Sequence, residues 1–226
     1  MTRPRTPTRG PKASRVEPSE ILDAAQAVFA QEGVRSASLR AIARRAGCDP
    51  ALIYYHFASK EALFRAVVMR RFPAVLEDIQ GIADAADPRP TVLRLWEVLL
   101  SYHRHLGRDP GLRALVRGEI VRGAEGLGHL LEDLVGPITA AVGRILAQGE
   151  ARGEVRPGLQ PLLATFFLLK LQLEILDVLP AVLGRLPGAP AGDPVALGMR
   201  AWIDLYWRGI ARDPAAPLPP LPEPAA

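Results

Sequence analysis

Apolar residues recur at intervals of three and four along most of this chain, the spacing of amphipathic helices, with no sustained alternation of the kind strands need. Ile21, Leu22, Ala25, Val28 and Phe29 predict a helix from Ser19 to Glu32. Leu39, Ile42, Ala43 and Ala46 predict a second, with Ser38 as its N-cap and Gly47 as its stop. Asp49-Pro50 restarts the chain as a third, running to about Phe57, because Asp caps well and proline loses no useful donor at the first helical position. Ser59 opens a fourth through Ala62, Leu63 and Val67, with a break or kink at Pro73 before Val75, Leu76, Ile79 and Ile82 resume the pattern. After the Asp87-Pro88-Arg89-Pro90 interruption, helices are predicted over Thr91 to Leu106, Leu112 to about Val121, Leu130 to Ala151 with a kink at Pro137, Gln160 to Leu183, and Asp193 to Ile210. Gly123, Gly126 and Gly128 mark a loop. The fold class is all-α with about nine helices: a three-helix head over 16–62 and a larger helical body over 63–212.

The two ends differ from this body. Residues 1–15 carry five basic residues, three prolines and no acid, and are expected to be disordered, either as an arm on a polyanion or as a plain solubilising tail. Residues 213–226, DPAAPLPPLPEPAA, are expected to be a disordered or extended tail, a plain one in preference to a docking segment. With 226 residues and 49% hydrophobic content, core material is ample. The single cysteine, Cys48, excludes an internal disulfide framework. The longest apolar run, Leu162 to Leu169, stops at Lys170, well short of the ~18 residues of a membrane span. With no apolar stretch near the start either, no membrane partner is expected and the cytoplasm is the expected place.

Charge is uneven. Residues 1–72 hold 13 Lys+Arg against 6 Asp+Glu, net +7, and the rest hold 15 against 18, net −3, which sum to +4. A basic front on a mildly acidic body suits a polyanionic partner, although charge clusters are more often solvated surface. Helix, glycine turn and second short helix make a helix-turn-helix, whose second helix enters a major groove of double-stranded DNA.

The segment resembles the DNA-binding region of the TetR family of bacterial transcriptional regulators. The likeness runs through Ile21-Leu22-Asp23-Ala24-Ala25, Phe29, Gly33, Ser38, Ile42-Ala43, Ala46-Gly47, Ile53-Tyr54-Tyr55-His56-Phe57 and Ser59-Lys60-Glu61-Ala62-Leu63, and covers roughly residues 16 to 70. It implies DNA contacts from Ser38, Arg40, Pro50, Ala51, Leu52, Tyr54, Tyr55, His56 and Lys60, with Ile53 and Phe57 in the core. Arg40 can grip guanine O6 and N7 bidentately. Where many members carry polar residues, this chain has Asp49, Pro50, Ala51 and Leu52, so reading there falls to shape and thymine methyls. Lys60, near a helix N-terminus, is expected on a phosphate.

The resemblance also implies a homodimer, because one short helix reads few base pairs and two copies about 34–36 Å apart meet successive grooves of a palindromic operator. Its interface is expected on the last two long helices, at Phe166, Leu173, Leu176, Trp202, Leu205 and Tyr206. An unidentified, largely apolar small-molecule effector is expected between the middle helices, near Trp96, His103, Arg117 and Phe167, and its binding is expected to release a repressor from DNA. For each of those four, an ordinary core or surface role is the plain alternative. DNA binding without an effector, or activation, are the competing functions. Catalysis is not expected: His103 and His105 lie two apart on a helix and make a poor metal pair, Cys48 has no catalytic partner nearby in sequence, and no phosphate-cradling glycine loop is present. No metal and no cofactor is called for.

Overall fold

The computed structural model describes residues 16–70, 72–84, 86–121, 133 and 135–223. Among them the regular structure is helical, apart from one isolated bridge between Val155 and Ala211. The backbone forms two compact units, one up to Val67 and one from Val68 onward. The basic segment 1–15, the glycine loop near 123–128 and the expected helix start at Leu130 lie outside the described residues.

The first unit holds α1 (Pro18–Glu32), α2 (Leu39–Ala46), α3 (Pro50–His56) and most of α4 (Lys60–Met69). α1 opens on a capping box in which the Glu20 carboxylate accepts the Glu17 N–H at 2.8 Å. Helices as short as α2 and α3 are unstable alone, so their shape depends on the face they bury. Ile21, Ala25 and Phe29 of α1, Ile42 and Ala43 of α2, Ile53 of α3, and Leu63, Phe64 and Val67 of α4 are all buried. Phe29 meets Phe64 edge to face at 5.7 Å. Each large side chain withdrawn from water here contributes roughly 1.5–3 kcal/mol.

The second unit holds α5 (Phe72–Ile82), α6 (Thr91–Gly107), α7 (Pro110–Val121), α8 (Gly136–Ala151), α9 (Pro161–Lys170), α10 (Gln172–Asp177), α11 (Leu179–Leu183) and α12 (Pro194–Ile210). α6 is its axis, packed against α5, α7, α8, α10 and α12. Val92, Leu95, Trp96, Val98, Leu99 and Leu106 are buried, so the helix is enclosed on more than one side. Arg94 is buried among them. A charge there is tolerable only if its donors are met. Its guanidinium donates to the Ile82 carbonyl at 3.0 Å, the Asp84 carbonyl at 2.9 Å and Gln148 Oε1 at 2.5 Å, tying the end of α5 and α8 to α6. Asp87 stands 3.4 Å away, and its hydrogen bonds from Arg89 hold its carboxyl down at about 2. Gly149 has no room for a side chain: a Cβ would lie 2.4 Å from Thr91 Oγ1.

Three predicted elements differ in the structure, each around a backbone exception. At Pro73 the fourth helix has already ended at Met69, and the proline sits in the first turn of α5, where no donor is missed. Pro137 likewise lies in the first turn of α8 and does not kink the interior of a longer α-helix. The rod expected from Gln160 to Leu183 is three short helices, which also raises the tally above the expected nine or so. Leu171, with ψ −6°, leaves the helical ladder, and Pro180 has no N–H for the carbonyl four residues back. The tail, expected to be extended or disordered, turns over 213–216 and is fastened along its length: Arg208 Nη1 donates to the Pro214 carbonyl at 3.0 Å, Arg200 Nη2 to that of Leu221 at 3.2 Å, and Trp96 Nε1 to that of Pro222 at 3.1 Å.

Candidate nucleic-acid interface

The turn between α2 and α3 is built by local chemistry alone. Ser38 Oγ accepts the Ala41 N–H at 3.1 Å and fixes where α2 begins. Gly47 ends it with φ +70°, a left-handed conformation that a Cβ disfavours, while its N–H and that of Cys48 return to carbonyls of α2. Two residues later Asp49 Oδ1 accepts the Ala51 N–H at 2.7 Å and α3 starts. The chain thus reverses between two short helices without a loop of its own.

Ile53 then decides which way α3 faces. Its side chain is buried in the head, so residues at other helical phases turn outward. Ala51, Tyr54 and Tyr55 are exposed, Tyr55 at 82%, and Pro50 and Leu52 are partly exposed. Tyr55 and His56 stack edge to face at 5.0 Å, stiffening two outward rings. Ser38, Arg40, Arg44 and Arg45 of the preceding helix are exposed too. The arrangement offers a rigid face with rings, hydroxyls and guanidiniums, the chemistry that grips phosphate and base edges. Phe57, expected in the core, is only partly buried.

Lys60 departs from expectation. Its ammonium donates to the carbonyls of Arg35 at 2.8 Å and Ala37 at 3.2 Å, fastening the start of α4 to the segment before α2. Two of its three N–H donors are therefore used within the head. Burial raises the Cys48 thiol, and Asp49 adds to the effect, so it stays protonated and is a poor nucleophile.

In the second unit the four candidate effector residues are scattered. Trp96 is buried beneath the tail. Arg117 donates to the Leu173 carbonyl at 2.9 Å and faces Glu174 and Asp177, each at 3.4 Å, as a brace between α7 and α10. Phe167 is 55% exposed and stacks on Phe166 along the outside of α9, so it is not an interior residue. Only His103 keeps an unpartnered buried ring nitrogen, Nδ1, and its burial lowers its pKa.

The expected interface residues separate into two sets. Leu173 and Tyr206 are buried inside the chain, the latter donating its hydroxyl proton to the Ala164 carbonyl at 3.0 Å, and Leu176 is partly buried near Gly107. They belong to the core because α10 packs on both α6 and α12. Trp202 is partly buried and donates to the Leu168 carbonyl at 2.9 Å. Phe166 and Leu205 face outward, joined by Leu162, Leu163 and Phe167. Between α9 and α12, Leu163, Phe167 and Leu205 border a cleft of about 430 Å³. Among the described residues no trio of His, Cys, Asp or Glu is placed to hold a metal, and no helix is long and apolar enough to cross a membrane.

Residues 21–67 match the family described as bacterial regulatory proteins, tetR family. The transcriptional regulator UidR of Escherichia coli is 27% identical over 164 residues, 70% of this chain and 79% of that one. The crystal structure of the regulator FadR of Bacillus subtilis with stearoyl-CoA superposes at a TM-score of 0.67, with 21% identity, over 86% of this chain and all of that one. SmeT, the repressor of a multidrug efflux pump of Stenotrophomonas maltophilia, superposes at 0.64, with 23% identity, over 93% and 100%. At such identities these structures share the fold.

Proposed function

From the premise that the chain belongs to the tetR family of bacterial regulatory proteins, we propose how this transcriptional regulator reads its DNA and answers to a ligand. It acts in the cytoplasm as a homodimer on a palindromic operator, each head placing α3 in a major groove. A small, largely apolar effector bound to the second unit releases it. The observation that carries the DNA reading is the outward face of α3, where Ala51, Tyr54 and Tyr55 stand free of the core behind a turn fixed by Gly47.

In each half-site Tyr54, Tyr55 and His56 meet backbone or bases, Arg40 a guanine or phosphate, and Pro50, Ala51 and Leu52 contact by shape and thymine methyls. Lys60 serves first as a fastener of the head, a revision of its expected phosphate role. The dimer forms through Phe166, Phe167, Leu162, Leu163 and Leu205, whose exposed apolar surface a lone subunit would leave in water. FadR bound to stearoyl-CoA and SmeT as an efflux repressor support an effector with a large apolar part.

The test is selection of bound duplexes from random DNA, followed by affinity measurement at fixed salt. The wild-type chain is expected to retain palindromes with half-sites one helical turn apart or a multiple of it. Tyr55→Ala is expected to bind them at least tenfold more weakly with unchanged thermal stability, since its ring packs on no core residue. Failure to enrich any duplex, or a Tyr55→Ala variant of full affinity, refutes the assignment of α3.

A further inference from the structure

The tail is seated as a ligand would be. Leu221, Pro222 and Glu223 present a carbonyl to Arg200, a carbonyl to the Trp96 indole N–H, and a carboxylate to Arg200 again at 2.7 Å. The Arg200 guanidinium carbon stands 6.0 Å over the Trp96 ring, so one cation and one aromatic donor sit side by side. Trp96 is fully buried, and of its partners the tail carbonyl meets its only polar atom. Nearer its root the strap itself forms one wall of a cleft of about 530 Å³, Asp213 and residues 216–219 facing Pro90, Val92, Glu154 and Trp207.

A segment held this way is easily lifted. The strap forms no helix or ladder, much of it is exposed, and Glu223 is 81% exposed. Segments with few buried contacts open locally at far less than the global unfolding free energy. Once lifted, the strap leaves a buried indole N–H without an acceptor and a half-buried guanidinium without its carboxylate, beside apolar walls.

We propose that Trp96 and Arg200 form a binding site for an apolar carboxylate, filled in the resting chain by its own tail as an autoinhibitory pseudo-ligand. The carboxylate takes the place of the Glu223 carboxylate and the Pro222 carbonyl, and its hydrocarbon part takes that of Leu221. Tail and ligand are mutually exclusive, so the tail sets the concentration at which the site fills. The site lies wholly in the second unit, and its existence does not depend on the DNA reading.

Calorimetric titration with two probes tests this: the acetylated hexapeptide of sequence 218–223 and decanoate. A chain ending at Ala216 is expected to bind both, while the full chain binds each at least tenfold more weakly. Arg200→Ala in the shortened chain is expected to weaken both at least tenfold. Glu223→Lys in the full chain removes the strap's carboxylate and sets a cation against Arg200, unseating the strap while Trp96 and Arg200 stay in place. It is expected to bind decanoate at least tenfold more tightly than wild type and to show red-shifted tryptophan emission as Trp96 meets water. The inference is overturned if neither released form binds either probe, if the intact chain binds decanoate as tightly as the shortened one, or if Arg200→Ala changes nothing. Duplex selection reads the other unit, so the two readings fail separately.

Discussion

The two units are held by interactions of different reach. In the head, the contacts that set backbone direction join residues two or three apart: Ser38 to Ala41, Asp49 to Ala51, Ser59 to Ala62. In the second unit, the polar contacts that fix its shape join residues dozens or more apart: Thr91 N–H to Glu154, Arg94 to Gln148, Arg113 to Asp177, and Trp96 to Pro222 across 126 positions. The head is a small object whose helices are placed by their own ends, closed by one apolar core and fastened by the Lys60 clamp. The body is placed by partners that the chain reaches only after folding back.

The largest expected effect attacks the head's one core. Ile53→Ala removes a fully buried side chain from the helix that carries the reading face, at an expected cost of about 2–4 kcal/mol. Hydrogen exchange should rise across residues 16–67 and stay unchanged in α6 and α8. A uniform rise through both units would break the comparison.

A smaller effect tests the body's exception to its long-range ties, a buried carboxylate whose first partner, Arg89, is only two residues away. Asp87 has its carboxyl lowered to about 2 from 3.8, by the hydrogen bonds from Arg89 first. A group depressed on folding stabilises the native state above its unfolded value and loses that contribution as pH falls through its folded one. Asp87 therefore contributes about 1–2 kcal/mol at neutral pH, discounted because Arg89 is 41% exposed, and the contribution fades between about pH 4 and pH 2. Asp87→Asn should lower stability at pH 7 by that amount and flatten the acid limb over the same interval, measured by urea unfolding at stepped pH. A parallel loss at every pH would count against the ion pair.

The smallest effect separates a clamp from a contact. Lys60→Met leaves the Arg35 and Ala37 carbonyls without their donor and should cost about 1 kcal/mol in the head, with the salt dependence of DNA binding kept. Unchanged stability with a salt slope reduced by about one would return Lys60 to a phosphate.

What could be read from residue order follows the same division. Ser38, Gly47, Asp49-Pro50 and Ser59 are stop and start signals whose physics acts within one turn, so the helices of the head were legible in advance, whereas the outward placement of Tyr54 and Tyr55 was implied only by the family resemblance. The apolar spacing over Thr91 to Leu106 and over Asp193 to Ile210 placed α6 and α12 for the same reason. Residue order did not tell which apolar residues of α9, α10 and α12 are core and which are surface. Phe166 and Leu173 look alike in the pattern, yet one is exposed and the other buried, because that depends on how α10 packs on α6 and α12. Nor did it separate a break from a kink at Pro73, or place Pro137 at a helix start, because proline excludes a donor but neighbours decide where the helix restarts. The tail was the extreme case. Its composition specifies an extended chain, which burial of Trp96 and the reach of Arg200 turn into a docked one, and only a folded body brings residue 96 to residue 222.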